Sequence, residues 1–480
     1  MKKVIIFGGS FNPIHKAHLA IAKNASRILD AEVWFDVSEK PRWKDSFLSK
    51  RKRERLVSLA IKGNKNFKVF TEIPITGHVT YTIDTMLYLV DKYPTYKFYF
   101  LIGTDQVNKL DKWKDVDELA KLVQFVYVKR PGYQVNEENL KRYNVIDVGL
   151  EGQMMASTEV RHGDFKLCPK IVEDTIRKEG LYFKDILKDL LKEKRFKHSL
   201  RVAKLAVKMA KANHLDVHKA YIAGIVHDCA KELSKKDVMR LMKKYFPEHL
   251  DENYAIYHQY LAPLIAKKYF GIVDENIYDA IQYHTTGKVG MDKLAKVIFC
   301  SDKTDPGRDY DSSFLIDRCL EDIEVGFAFT MVDNIEYLNK KARNILISED
   351  TLKLNEEALK VKEKYLVKLI VKTIDEHFGR DITIIDVENV NPLVKYYINC
   401  DALSERQVKA LASAVRDAIE EYHYEVHHVE GRDNPSWVLV DVKDIVVNIF
   451  KSDERGKYNI EKLLGDCPIY NYDEIMEDQY

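Results

Sequence analysis

The chain has 480 residues, 76 Lys and Arg against 75 Asp and Glu, and a formal net charge of +1 at pH 7. That length exceeds a single hydrophobic core and implies roughly three domains, and the balanced charge excludes bulk electrostatic capture of DNA or of a membrane surface. Six scattered cysteines without a C-x-x-C pair suit a reducing cytoplasm better than a disulfide framework. No apolar stretch has the length of a membrane span, and the run after Met1-Lys2-Lys3 is too short for a signal peptide. The expectation is a cytoplasmic protein with no membrane partner.

In chain order, residues 1–183 alternate strands and helices, 184–355 are almost wholly helical, and 362–480 alternate again. The joins, Phe183 to Lys197 and Glu349 to Lys364, are charged and helical in character, so fairly rigid connections are expected. The predicted class is multidomain: an α/β Rossmann-like domain, an all-α bundle and a small α/β C-terminal domain.

The first eighteen residues carry the densest signal. Val4-Ile5-Ile6-Phe7 reads as a buried strand of a parallel sheet. It runs into Gly8-Gly9-Ser10-Phe11-Asn12-Pro13-Ile14-His15-Lys16-Ala17-His18. Gly8 and Gly9 let a ligand phosphate approach the backbone, and Pro13 suits the first turn of a helix. His15 and His18, three apart, are expected on one face of that helix near the positive end of its dipole. Two imidazoles over N-terminal amides suit a triphosphate. The ordered set resembles the nucleotidylyltransferase superfamily signature G-G-[TS]-F-D-P-[IV]-H-x-G-H, with Asn12 for Asp and Ala17 for Gly. The resemblance implies ATP binding at Gly8, Gly9, Ser10, His15 and His18.

Strands expected at Glu32 to Phe35, Lys97 to Ile102 and Phe125 to Val128 complete a doubly wound pattern, whose ligands bind beyond the carboxyl ends of the strands. Gly103-Thr104-Asp105 follows one such end and Lys129-Arg130-Pro131-Gly132 another. Ser157-Thr158-Glu159-Val160-Arg161 reads as a helix start with hydroxyls at the cap and a guanidinium one turn in, able to hold phosphate oxygens. Together with Thr80 to Thr85, Trp113 and Gly180-Leu181-Tyr182, these segments resemble bacterial nicotinate-nucleotide adenylyltransferase over the whole first domain. The resemblance implies that Trp113 stacks on the pyridine ring, that Thr82 or Thr85 lies beside the nicotinate carboxylate, and that Asp105 meets the adenosine ribose. Lys44, with Arg53 behind it, matches a basic loop reaching the phosphates, although Trp43 stands where histidine is usual. His15, His18, Lys44 and Arg161 are the expected catalytic donors, ATP and nicotinate mononucleotide the substrates, and Mg²⁺ the companion of ATP. No protein nucleophile is required, since positioning and charge neutralisation suffice for transfer at phosphorus.

In the helical segment the ligand-type residues are His198, His227, Asp228, His258, His284 and Asp302, each in a stretch of helical periodicity. Imidazoles and carboxylates without thiolate suit iron, manganese or zinc with open positions for water, and such an ion activates water for phosphate hydrolysis. The order His, His-Asp, Asp is the HD phosphohydrolase signature. Lys197 to Val202, Ala223 to Lys231, His284-Thr285-Thr286-Gly287 and Ser301-Asp302-Lys303 with Arg308 resemble the HD-family symmetrical bis(5′-nucleosyl)-tetraphosphatase, an iron-binding enzyme that cuts diadenosine tetraphosphate into two ADP. The resemblance implies His198, His227, Asp228 and Asp302 as core metal ligands, with His258 and His284 at a second metal or at the phosphates. Lys231 would neutralise a phosphate oxygen, and Asp305 stands where glutamate is usual. The alternative is another HD specificity, such as a nucleotidase or an alarmone hydrolase. No Gly-Tyr-Pro occurs in this segment, which disfavours a cyclic-dinucleotide phosphodiesterase.

In the last segment, Asp381 to Val387, Tyr396 to Asn399, Trp437 to Val442 and Ile445 to Phe450 read as strands, and Ser404 to Tyr422 as a helix capped by Ser404. His427-His428 reads as a strand end with one ring in and one out. Asp386-Val387, Glu430-Gly431, Trp437 to Asp441 and Tyr458 to Leu463 resemble the ribosomal silencing factor family, whose members bind a large-subunit ribosomal protein. Lys395, Asn448 and Leu464 replace residues that are usually acidic, histidine and tryptophan; these changes are expected to bear on the partner surface rather than on the fold. A single working adenylyltransferase with degenerate partners and a nucleotide-sensing regulator are the alternatives to two working enzymes. The intact His-x-x-His and the six-ligand set favour two enzymes.

Overall fold

The computed structural model describes residues 1–39, 48–72, 81–151, 157–341, 347–433 and 435–477. The chain divides into two compact units, one of residues 1–203, 221–251 and 257–282, the other of residues 204–220, 252–256 and 283–480. Among the described residues no helix is long and apolar enough to cross a membrane.

The first unit is built on a six-stranded sheet of β1 (Lys2–Gly9), β2 (Glu32–Val37), β3 (Phe67–Phe70), β4 (Tyr96–Gly103), β5 (Gln124–Lys129) and β6 (Ile146–Glu151), in the order β3-β2-β1-β4-β5-β6. Every pairing in it is parallel. The order reverses direction between β1 and β4, and that reversal opens the crevice where doubly wound folds bind ligands. Phe7 pairs with Leu101 there, so Gly8-Gly9 and Gly103-Thr104-Asp105 leave the sheet side by side. Val4, Ile5 and Ile6 are fully buried, as an apolar run covered on both faces requires.

The four expected strands are present, while β3 and β6 are additional. Both are edge strands, and Ile146 of β6 is 42% exposed. An edge strand buries fewer side chains, so its apolar pattern is weak.

The helical segment within this unit includes Phe183–Leu190, Lys235–Tyr245 and Tyr257–Ile265. Phe183 meets Phe270 edge-on at 4.9 Å between centroids. A Cβ on Gly180 would stand 3.2 Å from the Tyr221 ring, so the end of the α/β segment lies directly on helices that follow it.

The second unit contains Lys293–Lys303, Ser313–Glu321, Ile323–Lys341, the long helix Glu349–Glu376 and a second sheet. That sheet comprises β7 (Arg380–Asp386), β8 (Tyr396–Ala402), β9 (His428–Glu430), β10 (Trp437–Asp441), β11 (Ile445–Lys451) and β12 (Ile469–Asn471), ordered β12-β7-β8-β11-β10-β9. Only β8 and β11 pair in parallel; the other pairs are antiparallel. Ile370 and Ile374 of the long helix and Val415 of the helix Glu405–Glu421 pack on Ile398 and Val447 of the central strands. Ser404 caps that helix, its Oγ accepting the Gln407 N–H at 3.3 Å. The long helix continues past Lys364, so the interval between the second and third composition segments is helix throughout. Leu315, Val325 and Phe329 form a further cluster with Phe314, Tyr365 and Tyr424, and Tyr424 Oη donates to the Lys362 carbonyl at 2.8 Å. His427 and His428 are both exposed, contrary to the expected alternation, because β9 pairs with β10 alone at the edge of the sheet.

Candidate active sites

The helix at the first site begins at Lys16, with His15 as its N-cap in extended conformation (φ −138°, ψ 172°). His15 therefore stands just before the helix rather than in it, and Pro13 lies in the preceding turn. His15 and His18 stack at 3.6 Å between ring centroids and 26° between planes. His18 Nδ1 accepts the His15 backbone N–H at 3.2 Å. A neutral ring accepting at Nδ1 carries its proton on Nε2, which makes His18 a donor on its outer side. Burial, and then the charge of Arg130, lower His15 to about 4. Burial with the neighbouring His15 and Arg130 charges pushes His18 well below its ordinary value. Both rings are therefore neutral at pH 7, each with one N–H to offer.

The loop below them is held tightly. Phe11 adopts φ 41°, a region bulky residues rarely occupy, and its ring is buried edge-on against Phe7, His18 and Phe35 at 5.1–5.5 Å. A Cβ on Gly9 would lie 3.0 Å from that ring, so any larger residue there would press on Phe11. Arg53 is fully buried and donates to the carbonyls of Ser10 at 2.6 Å and Leu48 at 3.0 Å. It braces the Gly-Gly loop. Arg161 donates to the Asn12 carbonyl at 2.8 Å and to Thr158 Oγ1 at 2.9 Å, and Ser157 Oγ donates to the Pro13 carbonyl at 2.9 Å. The helix Ser157–Arg161 has only five residues, and these polar groups lock it to the loop that carries His15. Lys44 and Trp43 lie outside the described residues.

Across the crevice, Asp105 Oδ1 stands 3.2 Å from Arg130 Nη1. A Cβ on Gly103 would come within 2.6 Å of both Arg130 Nε and Asp105 Oδ1, so glycine is what lets the pair close over the strand end. Thr104 Oγ1 accepts the Arg130 N–H at 3.0 Å and donates to the Val128 carbonyl at 3.3 Å, tying the ends of β4 and β5 together. Trp113 is half-buried, edge-on to Phe100 at 5.9 Å and Phe125 at 6.2 Å. Thr82 opens the helix Thr82–Lys92 and Thr85 is buried one turn in. Lys114 reaches the N-terminus of that helix, 4.6 Å from the Tyr81 ring and 3.9 Å from Asp84, so the Trp113 loop and the two threonines lie in one region.

In the helical segment, His198 lies within Glu193–Ala212, His258 within Tyr257–Ile265 and Asp302 within Lys293–Lys303. His227, Asp228 and His284 sit in turns that directly follow a helix, not within helices as their periodicity predicts. A turn at a helix end frees the side chain from the helical face. Asp228 Oδ2 is 3.8 Å from His198 Nε2 and 3.6 Å from His227 Nε2, and its Oδ1 is 3.4 Å from His258 Nε2. His227 Nδ1 donates to the Gly224 carbonyl at 2.7 Å, which leaves Nε2 as the ligand atom. Lys231 Nζ stands 3.1 Å from the His258 ring nitrogens.

Asp302 Oδ1 accepts from Arg308 at 3.0 Å, His284 Nε2 lies 3.1 Å from Thr285 Oγ1, and Asp305 is buried with Oδ1 accepting the Gly307 N–H at 3.1 Å. Within the first unit, the His198, His227 and His258 rings thus surround the Asp228 carboxylate. Imidazole nitrogens gathered around a carboxylate suit a divalent ion.

Three residues received no role from the sequence. Arg195 donates to Asp228 Oδ2 at 2.6 Å; its position one helical turn before His198 was the available signal. Arg130 was quoted only as part of a motif. Tyr182, whose Oη donates to Asn12 Oδ1 at 2.9 Å, was likewise quoted only within Gly180-Leu181-Tyr182, and 170 residues separate it from its partner.

In the C-terminal sheet Asn448 is buried, bonding Asn399 Oδ1 at 2.9 Å and accepting from Trp437 Nε1 at 3.2 Å. Lys395 pairs with Glu363 of the long helix at 2.5 Å. Asn448 is therefore internal to the fold, whereas the Lys395 side chain remains 32% exposed.

A parallel sheet bearing paired neutral histidines at its switch point, joined to helices that gather buried imidazoles and carboxylates, defines a nucleotidylyltransferase coupled to an HD-type hydrolase. The cytidylyltransferase-like family model matches residues 6–163, the HD domain model residues 195–307, and the model for the ribosomal silencing factor during starvation residues 360–479. The "Probable nicotinate-nucleotide adenylyltransferase/Ap4A hydrolase" of Mycoplasma genitalium is 35% identical over 310 residues, covering 64% of this chain and 88% of that one. Its namesake in Mycoplasma pneumoniae is 31% identical over 337 residues, covering 68% and 97%. A solved structure described as a predicted HD superfamily hydrolase involved in NAD metabolism, from Clostridium acetobutylicum, is 32% identical with a TM-score of 0.35, covering 37% of this chain and 95% of that one. The chain belongs to the family of nicotinate-nucleotide adenylyltransferase/Ap4A hydrolases, and it carries a ribosomal silencing factor domain after them.

Proposed function

We propose that residues 1–183 transfer the adenylyl group of ATP to nicotinate mononucleotide, that residues 184–355 hydrolyse diadenosine tetraphosphate to two ADP, and that residues 362–480 bind a large-subunit ribosomal protein. The observation that carries the first part is the stacked, neutral His15–His18 pair at the switch point. In the transfer, a phosphate oxygen of the mononucleotide forms a bond to the α-phosphorus of ATP. The bond from that phosphorus to its bridging oxygen breaks, and pyrophosphate leaves. His15 and His18 each offer one N–H to the leaving oxygens, with Lys44 and Arg161 as the cations. The Gly8, Gly9 and Ser10 backbone and the Ser157 and Thr158 hydroxyls frame ATP, and Asp105 exchanges Arg130 for the ribose hydroxyls. Trp113, Thr82 and Thr85 take the nicotinate. Mg²⁺ accompanies ATP as counter-charge. Preorganised donors at the leaving group are what such a site contributes.

In the helical segment His198, His227, Asp228 and Asp302 would hold an iron or manganese ion, with His258 and His284 completing a second position. Such an ion supplies Lewis acidity and an activated water. Lys231 neutralises a phosphate oxygen. The names borne by the Mycoplasma relatives support the tetraphosphate as substrate, and the silencing-factor match supports the ribosomal partner. Cytoplasmic residence is consistent with all three substrates and partners.

A substrate panel tests the first part. The chain is expected to form nicotinate adenine dinucleotide and pyrophosphate and to prefer nicotinate over nicotinamide mononucleotide; preference for the amide overturns it. Co-sedimentation with large ribosomal subunits tests the third, and absence of the chain from the pellet contradicts it.

A further inference from the structure

Tyr182 sits where the α/β segment ends and the hydrolase helices begin. It precedes the helix Phe183–Leu190 and takes φ 66° in that N-cap position. Its side chain does not face that helix. It runs back into the first sheet's crevice, is only 6% exposed, and places Oη 2.9 Å from Asn12 Oδ1. The same Asn12 oxygen accepts the Leu48 N–H at 3.4 Å, and the Asn12 carbonyl accepts from Arg161 at 2.8 Å. Asn12 is thus the knot of the loop between Phe11, with its unusual backbone, and His15. Cys168 Sγ and Lys16 Nζ add ties on either side, to the Ile14 and Lys166 carbonyls at 3.2 and 2.7 Å, so the Tyr182 bond is one of several but the one that enters from the junction.

The junction itself is seated on the hydrolase segment. Phe183, the next residue, is fully buried with its ring 4.9 Å from Phe270. Gly163 and Gly271 face Tyr269 and Arg177 so closely that a Cβ would stand 3.4 Å from the Tyr269 carbonyl or overlap the Arg177 guanidinium. A shift of the Phe183 helix on that seat moves Tyr182, and Tyr182 holds the loop that carries His15.

We propose that Tyr182 is a positioning residue for adenylyl transfer: through Asn12 it sets the Phe11–His15 loop, and it makes that setting depend on the seat of the Phe183 helix against the hydrolase helices. The inference rests on the adenylyl-transfer reading above. An angstrom-scale misplacement of groups around a reacting centre costs rate without removing binding contacts, so its signature is in kcat and not in KM.

The test uses the full chain. Tyr182→Phe keeps the ring and removes one hydroxyl, so hydrolysis at the HD site in the same preparation reports that the fold is intact. The expected result is a fall in transfer kcat of about three- to tenfold, with KM for both nucleotides within about twofold. Asn12→Asp keeps an acceptor opposite the phenol and stays sensitive to Tyr182→Phe. Asn12→Ala does not, and its double variant with Tyr182→Phe is no slower than Asn12→Ala alone. Phe270→Leu, on the hydrolase side, slows transfer in the native background and not further in Tyr182→Phe. Equal kcat for Tyr182→Phe and native chain, or additive losses in the double variant with Asn12→Ala, overturns the inference while leaving transfer itself established. A native chain that makes no dinucleotide overturns the transfer reading and this inference with it.

Discussion

Arg195 donates to Asp228 Oδ2 at 2.6 Å, and that oxygen is the one lying 3.6–3.8 Å from the His227 and His198 Nε2 atoms. A charge-assisted bond of this length orients the carboxylate. Arg195→Gln is expected to lower hydrolysis by about ten- to hundredfold and to reduce the metal retained after dialysis, as loss of a ligand's supporting partner does. Arg195→Lys recovers part of both. Adenylyl transfer by the same variants stays at the native rate. Full metal content and native hydrolysis in Arg195→Gln would refute this role.

His15 is neutral because burial and the Arg130 charge hold it near 4. Its folded value lies below the unfolded one of about 6.5, so the unfolded chain binds the extra proton between those values. The residue's contribution to stability is full above about pH 6.5 and is lost as pH falls toward 4, amounting to roughly 3 kcal/mol. A bound triphosphate favours the charged ring, so ATP binding near pH 6 should take up protons. Calorimetry in buffers of different ionisation enthalpy measures that uptake, which His15→Gln should reduce. Identical heats in all buffers would contradict it.

Trp113 meets Phe100 and Phe125 edge-on, so it serves the core as well as the proposed nicotinate face. Trp113→Ala is expected to raise KM for nicotinate mononucleotide at least about tenfold, with KM for ATP nearly unchanged, and to cost about 1–3 kcal/mol in stability. Trp113→Phe recovers the stability and much of the KM. Parallel kinetic and thermal measurements separate the two effects.

Asn448 satisfies Asn399 and the Trp437 indole inside the C-terminal sheet. Asn448→Leu leaves the buried Asn399 without its partner, at about 1–3 kcal/mol, and the half-buried Trp437 indole without its acceptor. Thermal unfolding should shift downward, with transfer and hydrolysis rates at low temperature unchanged. An unshifted transition would contradict the network's role.

Central strands and apolar helices could be read directly from the sequence, because full burial imposes apolar runs such as Val4 to Phe7 and Ile445 to Phe450. The edge strands β3 and β6 could not: β3 has only four residues, and β6 mixes apolar residues with Asp147, Gly149 and Glu151. Site residues followed the same division. His15, His18, Asp105 and the six residues expected as HD-type ligands carry that expectation in residue type and spacing. The carbonyl that Arg53 holds at Ser10 was not legible, since 43 residues separate the two. The bonds of Asn448 and Lys395 were not legible because their partners, Asn399 and Glu363, lie tens of residues away. Tyr182 and Asn12 are the extreme case: no local pattern links a junction tyrosine to a loop asparagine at the other end of the domain.

The decisive measurement assays one metal-loaded preparation for both chemistries: dinucleotide formation from ATP and nicotinate mononucleotide, and product separation after incubation with diadenosine tetraphosphate. The native chain should form nicotinate adenine dinucleotide in the first and two ADP in the second. His15→Ala with His18→Ala should abolish only the first, and His227→Ala with Asp228→Ala only the second. AMP plus ATP from the tetraphosphate, no cleavage at all, or cleavage that survives loss of His227 and Asp228 would contradict the two-enzyme reading.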